Sequence, residues 1–328
     1  MTGFLGSGKT SLLNALLPHP AWRDAAVIVN ELGETGIDHL LLDVREESLA
    51  LLADGCLCCA LRSDLPEALA RLEAAQLALG RPPIARVVVE TSGRAEPGPL
   101  LMSLLGDPGL AARYRLDAVV ATVDSVHAPG QSTRFPEFSR QLSLADRVVI
   151  TKADLAASAD LRVTRRLVQA LAPSAKAFLR SSLPRRARAL QGAGLAGNGA
   201  EPDALRWLGH AGIERLPRHL ASVRTLTVVL PEHPRWEPLY ECLASLLALQ
   251  GERILRMKGV LRLAGEPLPV AVHAVHHQLH APVALPARSR APEASTLVFI
   301  TDGLAEGDLR DTFRGWGLLA AGDALQSK

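Results

Sequence analysis

A phosphate-binding loop begins the chain and limits the folds that it can adopt. The first ten residues, MTGFLGSGKT, fit the pattern G-x-x-x-x-G-K-[ST], which joins a strand to a helix. The glycines let backbone N–H groups surround phosphate oxygens, the lysine reaches the β- and γ-phosphates, and the threonine hydroxyl binds Mg²⁺. The predicted nucleotide-binding residues of the loop are Gly3, Gly6, Ser7, Gly8, Lys9, Thr10 and Ser11, and Thr10 is also the predicted magnesium ligand.

Four apolar runs follow the loop, and each ends in polar residues, as buried strands of a parallel sheet do. They lie at 25–33, 85–93, 117–124 and 147–154, and helical stretches such as 65–80 separate them. This alternation predicts an α/β fold with a mainly parallel sheet. In such a fold, ligands bind at the carboxyl ends of the strands.

Several candidate functional residues lie at these strand ends. Glu90 follows VVV, where an acidic residue is placed to hold the Mg²⁺ shell or to orient water. Lys9, Thr10 and Glu90 are therefore the predicted catalytic residues. A single carboxylate at a strand end is often a helix cap, but several that accompany a phosphate loop favour a functional site. The other strand-end candidates are Asn30, Glu31, Asp124 and residues 151–154.

The TKAD segment at 151–154 is similar to the guanine-reading N-K-x-D motif of GTPases. In that motif the aspartate carboxylate accepts hydrogen bonds from guanine N1 and N2 groups, a donor pair that adenine lacks. Thr151 replaces the usual asparagine, which removes an amide contact. Guanine preference then depends mainly on Asp154, with Lys152 alongside the base. The expected nucleotide is GTP, with ATP left open.

Three of the four cysteines, Cys56, Cys58 and Cys59, lie within four positions in GCLCC. A bridge between Cys58 and Cys59 would close a small strained ring, so a disulfide explains the cluster poorly. Clustered thiolates are typical of metal sites and of redox chemistry, and either fits this pattern. The remaining Cys242 lies in the apolar run ECLASLLALQ and is predicted to belong to a core.

The character of the sequence changes in its second half. The predicted organisation is a phosphate-loop domain at 1–182, a linker at 183–222 that is rich in Gly, Pro and Arg, and a smaller α+β domain at 223–328. A helix is expected near 236–250. Four histidines of this domain are expected to have ordinary structural roles rather than to bind metal: His273, His276, His277 and His280.

Composition indicates no nucleic-acid or membrane partner. Lys and Arg number 36 against 34 Asp and Glu, which gives a net charge of +2. The arginine-rich stretch of the linker lacks interleaved aromatic residues, so we expect it to be a solvated surface. No apolar run reaches the length of a membrane span. The expected location is the cytoplasm, where thiols stay reduced.

With the phosphate loop, NELGETGID, GCLCC, ETSGRAEP and TKAD in this order, the chain resembles the CobW-like GTPases, relatives of the UreG and HypB metallochaperones. The segments ILRMKG, VHAVHHQLHAP and STLVFI resemble the CobW carboxy-terminal domain. The resemblance implies that Cys56, Cys58 and Cys59 bind Zn²⁺, or a similar ion such as Co²⁺. It also implies that GTP binding and hydrolysis are coupled to delivery of the metal to a client metalloprotein.

Two rival functions stay open beside this one. The first is a metal- or redox-sensing module in which nucleotide is structural, and the second is a phosphate-loop kinase for small molecules, which TKAD disfavours. Hydrolysis is expected to be slow, because no arginine finger or glutamine can be assigned from the sequence. A client or a second copy of the chain, in a nucleotide-dependent homodimer, is expected to complete the site.

The start of the chain conflicts with the phosphate-loop fold. Only Met1 and Thr2 precede Gly3, so the central strand before the loop is expected to be missing. Loss of that strand would cost many kcal/mol, against a total stability of roughly 5–15 kcal/mol. The sequence therefore predicts a natural chain that extends upstream of Met1.

Overall fold

The computed structural model divides the chain into two compact units. Met1–Arg165 and Lys176–Gln191 form the first, and Arg166–Ala175 and Gly192–Lys328 form the second. The predicted residues Asn30, Glu31, Cys56, Cys58 and Cys59 lie outside the part of the chain that the structure describes. The described residues are 1–22, 25–29, 49–50, 64–78, 80, 83–193, 204–208, 223–230, 233–320 and 326–327.

Strands and helices alternate through the first half of the chain. Each strand pair described in the first unit is parallel. The α/β order predicted from the sequence is therefore confirmed. In chain order the elements are β1 (Thr2–Gly3), α1 (Lys9–Leu16), β2 (Ala25–Val29), β3 (Leu49–Ala50), α2 (Asp64–Ala78), β4 (Arg86–Glu90), α3 (Pro97–Gly106), α4 (Pro108–Arg113), β5 (Val120–Asp124), α5 (Ala128–Arg134), α6 (Pro136–Ser143), β6 (Arg147–Thr151), α7 (Ser158–Leu171) and β7 (Lys176–Leu179).

A two-residue strand, β1, precedes the phosphate loop. It pairs with β5, and the Met1 backbone bonds to the β4 side: its amino group donates to Val89 O at 2.5 Å, and its carbonyl accepts from Thr91 N–H at 2.9 Å. The described strands thus run in the order β3-β2-β4-β1-β5-β6-β7. Only these two residues stand in the place of the central strand, with backbone hydrogen bonds on both sides, and an upstream extension of the natural chain stays a prediction.

The core beneath the phosphate loop explains why α1 forms where it does. Leu12, Leu13 and Leu16 recur at helical spacing, and each is at most 2% exposed. They pack with Val27 and Val149 of the sheet. Burial of each such side chain stabilises the unit by roughly 1.5–3 kcal/mol, so the start of α1 is anchored against the carboxyl ends of the strands.

Part of the stretch expected to be a linker packs into the first unit. Two 3₁₀ helices, Arg180–Arg185 and Ala187–Leu190, bury Leu183, Ala187 and Leu190 in the same core as α1. The indole of Trp22 donates to Ala187 O at 3.0 Å. The packed region therefore continues past residue 182, because three apolar side chains within an Arg- and Pro-rich run are enough to anchor it.

The second unit is built on an antiparallel sheet, as expected for an α+β domain. Its described strands run in the order β11-β10-β9-β13-β8-β14, with β12 paired to β10. The elements are α8 (Ala204–Leu208), β8 (Val223–Leu230), α9 (Trp236–Gln250), β9 (Ile254–Leu261), β10 (Val270–Val275), β11 (Gln278–Leu279), β12 (Val283–Ala284), β13 (Ser295–Asp302), α10 (Glu306–Gly315) and β14 (Gln326–Ser327).

Helices α9 and α10 form the core of this unit with one face of the sheet. Leu243 of α9 and Phe313 of α10 share a cluster with Met257 and Phe299 of the strands. Cys242 lies in this core, as predicted, and burial raises the pKa of its thiol to about 12. Within the described residues, no helix is both long and apolar enough to cross a membrane.

The histidines of the second unit make local contacts. The rings of His273 and His280 stack with their centroids 4.0 Å apart. His276 Nδ1–H donates to Gly251 O at 3.1 Å, and His277 Nδ1–H donates to Leu247 O at 2.8 Å. Among the residues that the structure describes, no group of three or more His, Cys, Asp or Glu side chains is arranged to hold a metal ion.

Candidate nucleotide-binding site

A cavity of about 580 Å³ lies at the carboxyl edge of the first unit's sheet. Three chain segments line it: the phosphate loop with the start of α1, residues 90–94 at the end of β4, and residues 151–152 at the end of β6. Arg180 adds a fourth contribution. These segments are distant in the sequence and meet because parallel strands end at the same edge.

The phosphate loop is held in a tight curve by its own backbone and by β5. Gly8 adopts a φ of 88° just before α1, a left-handed conformation that glycine tolerates best. A methyl group on Gly3 would lie 2.3 Å from Thr122 Oγ1, so β1 approaches β5 too closely for a side chain. Lys9 Nζ donates to Gly3 O at 2.9 Å, which places the ammonium inside the curve of the loop.

Thr10 and Glu90 meet across the cavity. Thr10 Oγ1 donates to Glu90 Oε1 at 2.7 Å, and Glu90 is only 3% exposed. A hydroxyl beside a carboxylate provides the hard oxygen ligands that Mg²⁺ prefers. The three residues predicted to be catalytic, Lys9, Thr10 and Glu90, therefore line one cavity, and their donor set fits a magnesium ion.

Thr151 links β6 to the phosphate loop. Its hydroxyl donates to Ser7 O at 2.8 Å, and Thr151 is fully buried. The sequence alone shows only that threonine lacks the amide of the usual asparagine. The hydrogen bond from the Thr151 hydroxyl to Ser7 O depends on the position of β6 beside the loop. This bond couples the TKAD segment to the phosphate-binding backbone.

Lys152 is fixed by a buried carboxylate. Its φ is 54°, and its Nζ donates to Asp124 Oδ2 at 2.7 Å. Asp124 also accepts from His127 Nδ1 at 2.8 Å and from Val126 N–H at 2.9 Å. Burial raises the pKa of Asp124, but the hydrogen bonds from Lys152, His127 and Val126 outweigh burial and hold that pKa below its ordinary value. Asp154 lies two residues beyond Lys152 and is exposed.

Gly93 and Arg94 are cavity residues that sequence reasoning missed. A methyl group on Gly93 would lie 2.6 Å from Leu5 Cα, so the segment after β4 touches the phosphate loop. Gln141 Nε2 donates to Gly93 O at 3.2 Å and to Ala95 O at 2.9 Å. Arg94 is exposed and lines the cavity. The sequence feature that could have identified this part of the cavity is the arginine directly after the glycine of ETSGRAEP.

Comparison with protein families covers both units. Residues 1–179 match the family described as CobW/HypB/UreG, nucleotide-binding domain. The chain belongs to the CobW/HypB/UreG family. Residues 223–316 match the cobalamin synthesis protein cobW C-terminal domain. The CobW relationship therefore includes the antiparallel second unit as well as the phosphate-loop unit.

Similar proteins include the zinc chaperone YjiA of Escherichia coli (strain K12), which is 31% identical over 321 residues and aligns over 96% of each chain. The zinc-regulated GTPase metalloprotein activator 1 of Schizosaccharomyces pombe is 33% identical over 175 residues, or 51% of this chain and 41% of its own length. The crystal structure of Zn(II)-bound YjiA GTPase from E. coli has a TM-score of 0.68 at 26% identity and aligns over 97% of both chains. The CobW-family fold predicted from the sequence is confirmed.

Proposed function

We propose that this CobW-family chain is a GTP-dependent zinc chaperone. It hydrolyses GTP to GDP and phosphate and couples nucleotide state to the delivery of Zn²⁺ to a client metalloprotein. The observation that carries the proposal is the Thr10–Glu90 contact of 2.7 Å inside a phosphate-loop cavity. Similarity over 96% of the chain to a protein named a zinc chaperone supports the metal part.

The phosphate end of the cavity supports hydrolysis. Backbone N–H groups of the loop and the Lys9 ammonium would bind the β- and γ-phosphates. Thr10 would hold Mg²⁺ with Glu90 beside it, and the ion would supply positive charge to the phosphate oxygens. Glu90 is buried next to this position, so it would orient the Thr10 hydroxyl rather than face bulk water.

The TKAD segment supports guanine as the base. The Asp154 carboxylate is exposed, and no other described residue binds it. It would accept hydrogen bonds from guanine N1 and N2 groups, whereas adenine offers no such donor pair. Lys152 is already fixed by Asp124, so the direction of this segment is set before nucleotide binds.

The thiol cluster supports zinc as cargo. Cys56, Cys58 and Cys59 would supply three thiolates of a tetrahedral Zn²⁺ shell and leave one position for a client ligand. Soft thiolates favour Zn²⁺ over harder ions, with Co²⁺ as the second candidate. The partner that completes the shell is a client metalloprotein or, in a nucleotide-dependent homodimer, a second copy of the chain.

Measurement of phosphate and nucleotide products from GTP, with Mg²⁺ and Zn²⁺ present, tests the enzymatic part. We expect GDP and inorganic phosphate in equal amounts, and an at least roughly hundredfold slower rate for Lys9→Ala, because Lys9 contacts the phosphates. Lys176→Ala removes an exposed lysine of β7 outside the cavity and should retain the wild-type rate. Transfer of the phosphate to a small acceptor would instead support the kinase. An unchanged rate in Lys9→Ala would contradict the proposed site.

A further inference from the structure

Among the described residues that line the nucleotide cavity, cationic side chains outnumber anionic ones, and one of these cations bonds to no other described residue. The ionisable side chains of this described lining are Lys9, Glu90, Arg94, Lys152 and Arg180. Lys9 donates to a loop carbonyl at 2.9 Å, Lys152 to the Asp124 carboxylate at 2.7 Å, and Arg180 to Ser11 O at 3.1 Å. Arg94 has no hydrogen bond or ion pair with any described residue. Within the described part of the chain, no partner therefore competes with a ligand for its guanidinium.

The acidic residue closest to Arg94 in the sequence is already neutralised. Glu96 Oε1 accepts from Arg140 Nη1 at 2.6 Å, in a pair whose side chains are 30% and 37% exposed. The Glu96 carboxylate is thus paired with Arg140 rather than with Arg94. Across the residues that the structure describes, no carboxylate pairs with Arg94 on the wall of the cavity.

The backbone that carries Arg94 is fixed beside the phosphate-binding end. At the start of the segment, the Glu90 carboxylate is bonded to Thr10 at 2.7 Å. At its centre, Gly93 lies against the backbone of Leu5 in the phosphate loop. On the far side, Gln141 bonds to the carbonyls of residues 93 and 95 at 3.2 and 2.9 Å. These contacts hold residue 94 next to the loop that binds the β- and γ-phosphates.

We propose that Arg94 is a catalytic residue that contacts the γ-phosphoryl oxygens of GTP from within the same chain. The inference rests on the GTPase function proposed above. A guanidinium stays protonated and presents a planar fork of N–H donors, so it suits the charge on a transferring phosphoryl group. It also removes the need to import an arginine from a client.

Arg94 stabilises negative charge and takes no part in proton transfer. The water oxygen forms a bond to the γ-phosphorus while the bond from that phosphorus to the β–γ bridging oxygen breaks. The electron pair leaves with GDP, and the proton lost by water ends on inorganic phosphate. Arg94 keeps its own proton throughout and stabilises the negative charge that spreads over the equatorial oxygens.

Single-turnover GTP hydrolysis by the full chain tests this role, with Arg94→Ala, Arg94→Lys and Arg185→Ala compared with wild type. Arg185 is an exposed arginine outside the cavity and serves as the matched control. We expect Arg94→Ala to be slower by about 10³-fold, since arginines in this role contribute about 10³–10⁵. Arg94→Lys should recover part of the rate, because it keeps the charge but loses the planar fork.

Binding measurements separate catalysis from simple attraction. Affinity for GDP should stay within about threefold of wild type in Arg94→Ala, whereas the tighter binding of GDP with aluminium fluoride, which mimics the transferring phosphoryl group, should be lost. A rate within about threefold of wild type, or equal losses of GDP and aluminium-fluoride affinity, would overturn the role of Arg94. Absence of hydrolysis in wild type would instead overturn the proposed GTPase function and this inference with it.

Discussion

The contact between Gly93 and the phosphate loop makes a sharp prediction for Gly93→Ala. Gly93 does not adopt a left-handed backbone, so alanine meets no conformational penalty there. Its methyl group would lie 2.6 Å from Leu5 Cα and 2.8 Å from Leu5 N. Both of these are backbone atoms, so no side-chain rotation can relieve the contact.

The size of the effect follows from this distance. Ordinary contact begins near 3.4 Å, so one of the two segments must move by about 0.8 Å (3.4 − 2.6). Overpacking of this kind destabilises a protein by about 1–3 kcal/mol. A displacement approaching 1 Å at a catalytic site lowers turnover by about 10²-fold. Gly93→Ala should therefore lose both stability and GTP hydrolysis, because the phosphate loop and residues 90–94 shift apart.

Thermal melting with and without GDP, together with steady-state hydrolysis, measures both effects. Each kcal/mol corresponds to about 2–4 °C for a unit of this size. Gly130→Ala is the matched control, because a methyl group at Gly130 would have no neighbour within 4 Å. Gly130 lies in helix α5. Alanine should stabilise that helix slightly. If Gly93→Ala melts and hydrolyses like Gly130→Ala, the close approach of residue 93 to the loop is wrong.

Three further predictions concern other contacts. Thr151→Val leaves Ser7 O without its 2.8 Å donor and should weaken GDP binding by about 1–3 kcal/mol in calorimetry, and unchanged affinity would contradict the coupling of β6 to the loop. Asp154→Asn should exchange GTP preference for xanthosine triphosphate, whose C2 carbonyl accepts from an amide, and retained GTP preference would exclude Asp154 as the base reader. Burial and the nearby Arg256 lower the pKa of His280 from 6.5 to about 4. As the pH falls, this imidazole is therefore protonated in the unfolded chain before it is protonated in the folded one. Stability of the second unit should fall as pH drops from 6.5 to 4, and urea unfolding of His280→Gln should show a smaller fall.

The sequence was most informative where the signal is local. The glycine spacing of the phosphate loop and the β-branched runs that become β4, β5 and β6 each specify an element without reference to the rest of the chain. Glu90 was correctly placed at the end of β4, because its position follows from the length of the run. Helix α9 begins and ends at the limits that the apolar pattern predicts.

The sequence was least informative where a contact joins distant segments. The partner of the Thr151 hydroxyl depends on the register of β6 against β5 and on the path of the loop, neither of which a four-residue motif contains. Strand β1 is too short to show a period, so only its backbone partners reveal it. Nothing in the sequence distinguishes Arg94 from other arginines. Only the structure shows that it lines the cavity beside the phosphate loop.

A competitive Zn²⁺ titration of the full chain tests the proposed chaperone function most directly. The titration is run in two nucleotide states, one with Mg²⁺ and a non-hydrolysable GTP analogue and the other with GDP. The proteins compared are wild type and the variants Cys56→Ser, Cys58→Ser and Cys59→Ser. Cys242→Ala is the control for a buried thiol elsewhere. We predict a Zn²⁺ affinity that differs by at least about tenfold between the two nucleotide states, or about 1.4 kcal/mol of coupling, and that requires the three clustered thiols. Equal Zn²⁺ affinity in both nucleotide states, or binding that survives loss of the clustered thiols, would contradict a GTP-dependent zinc chaperone.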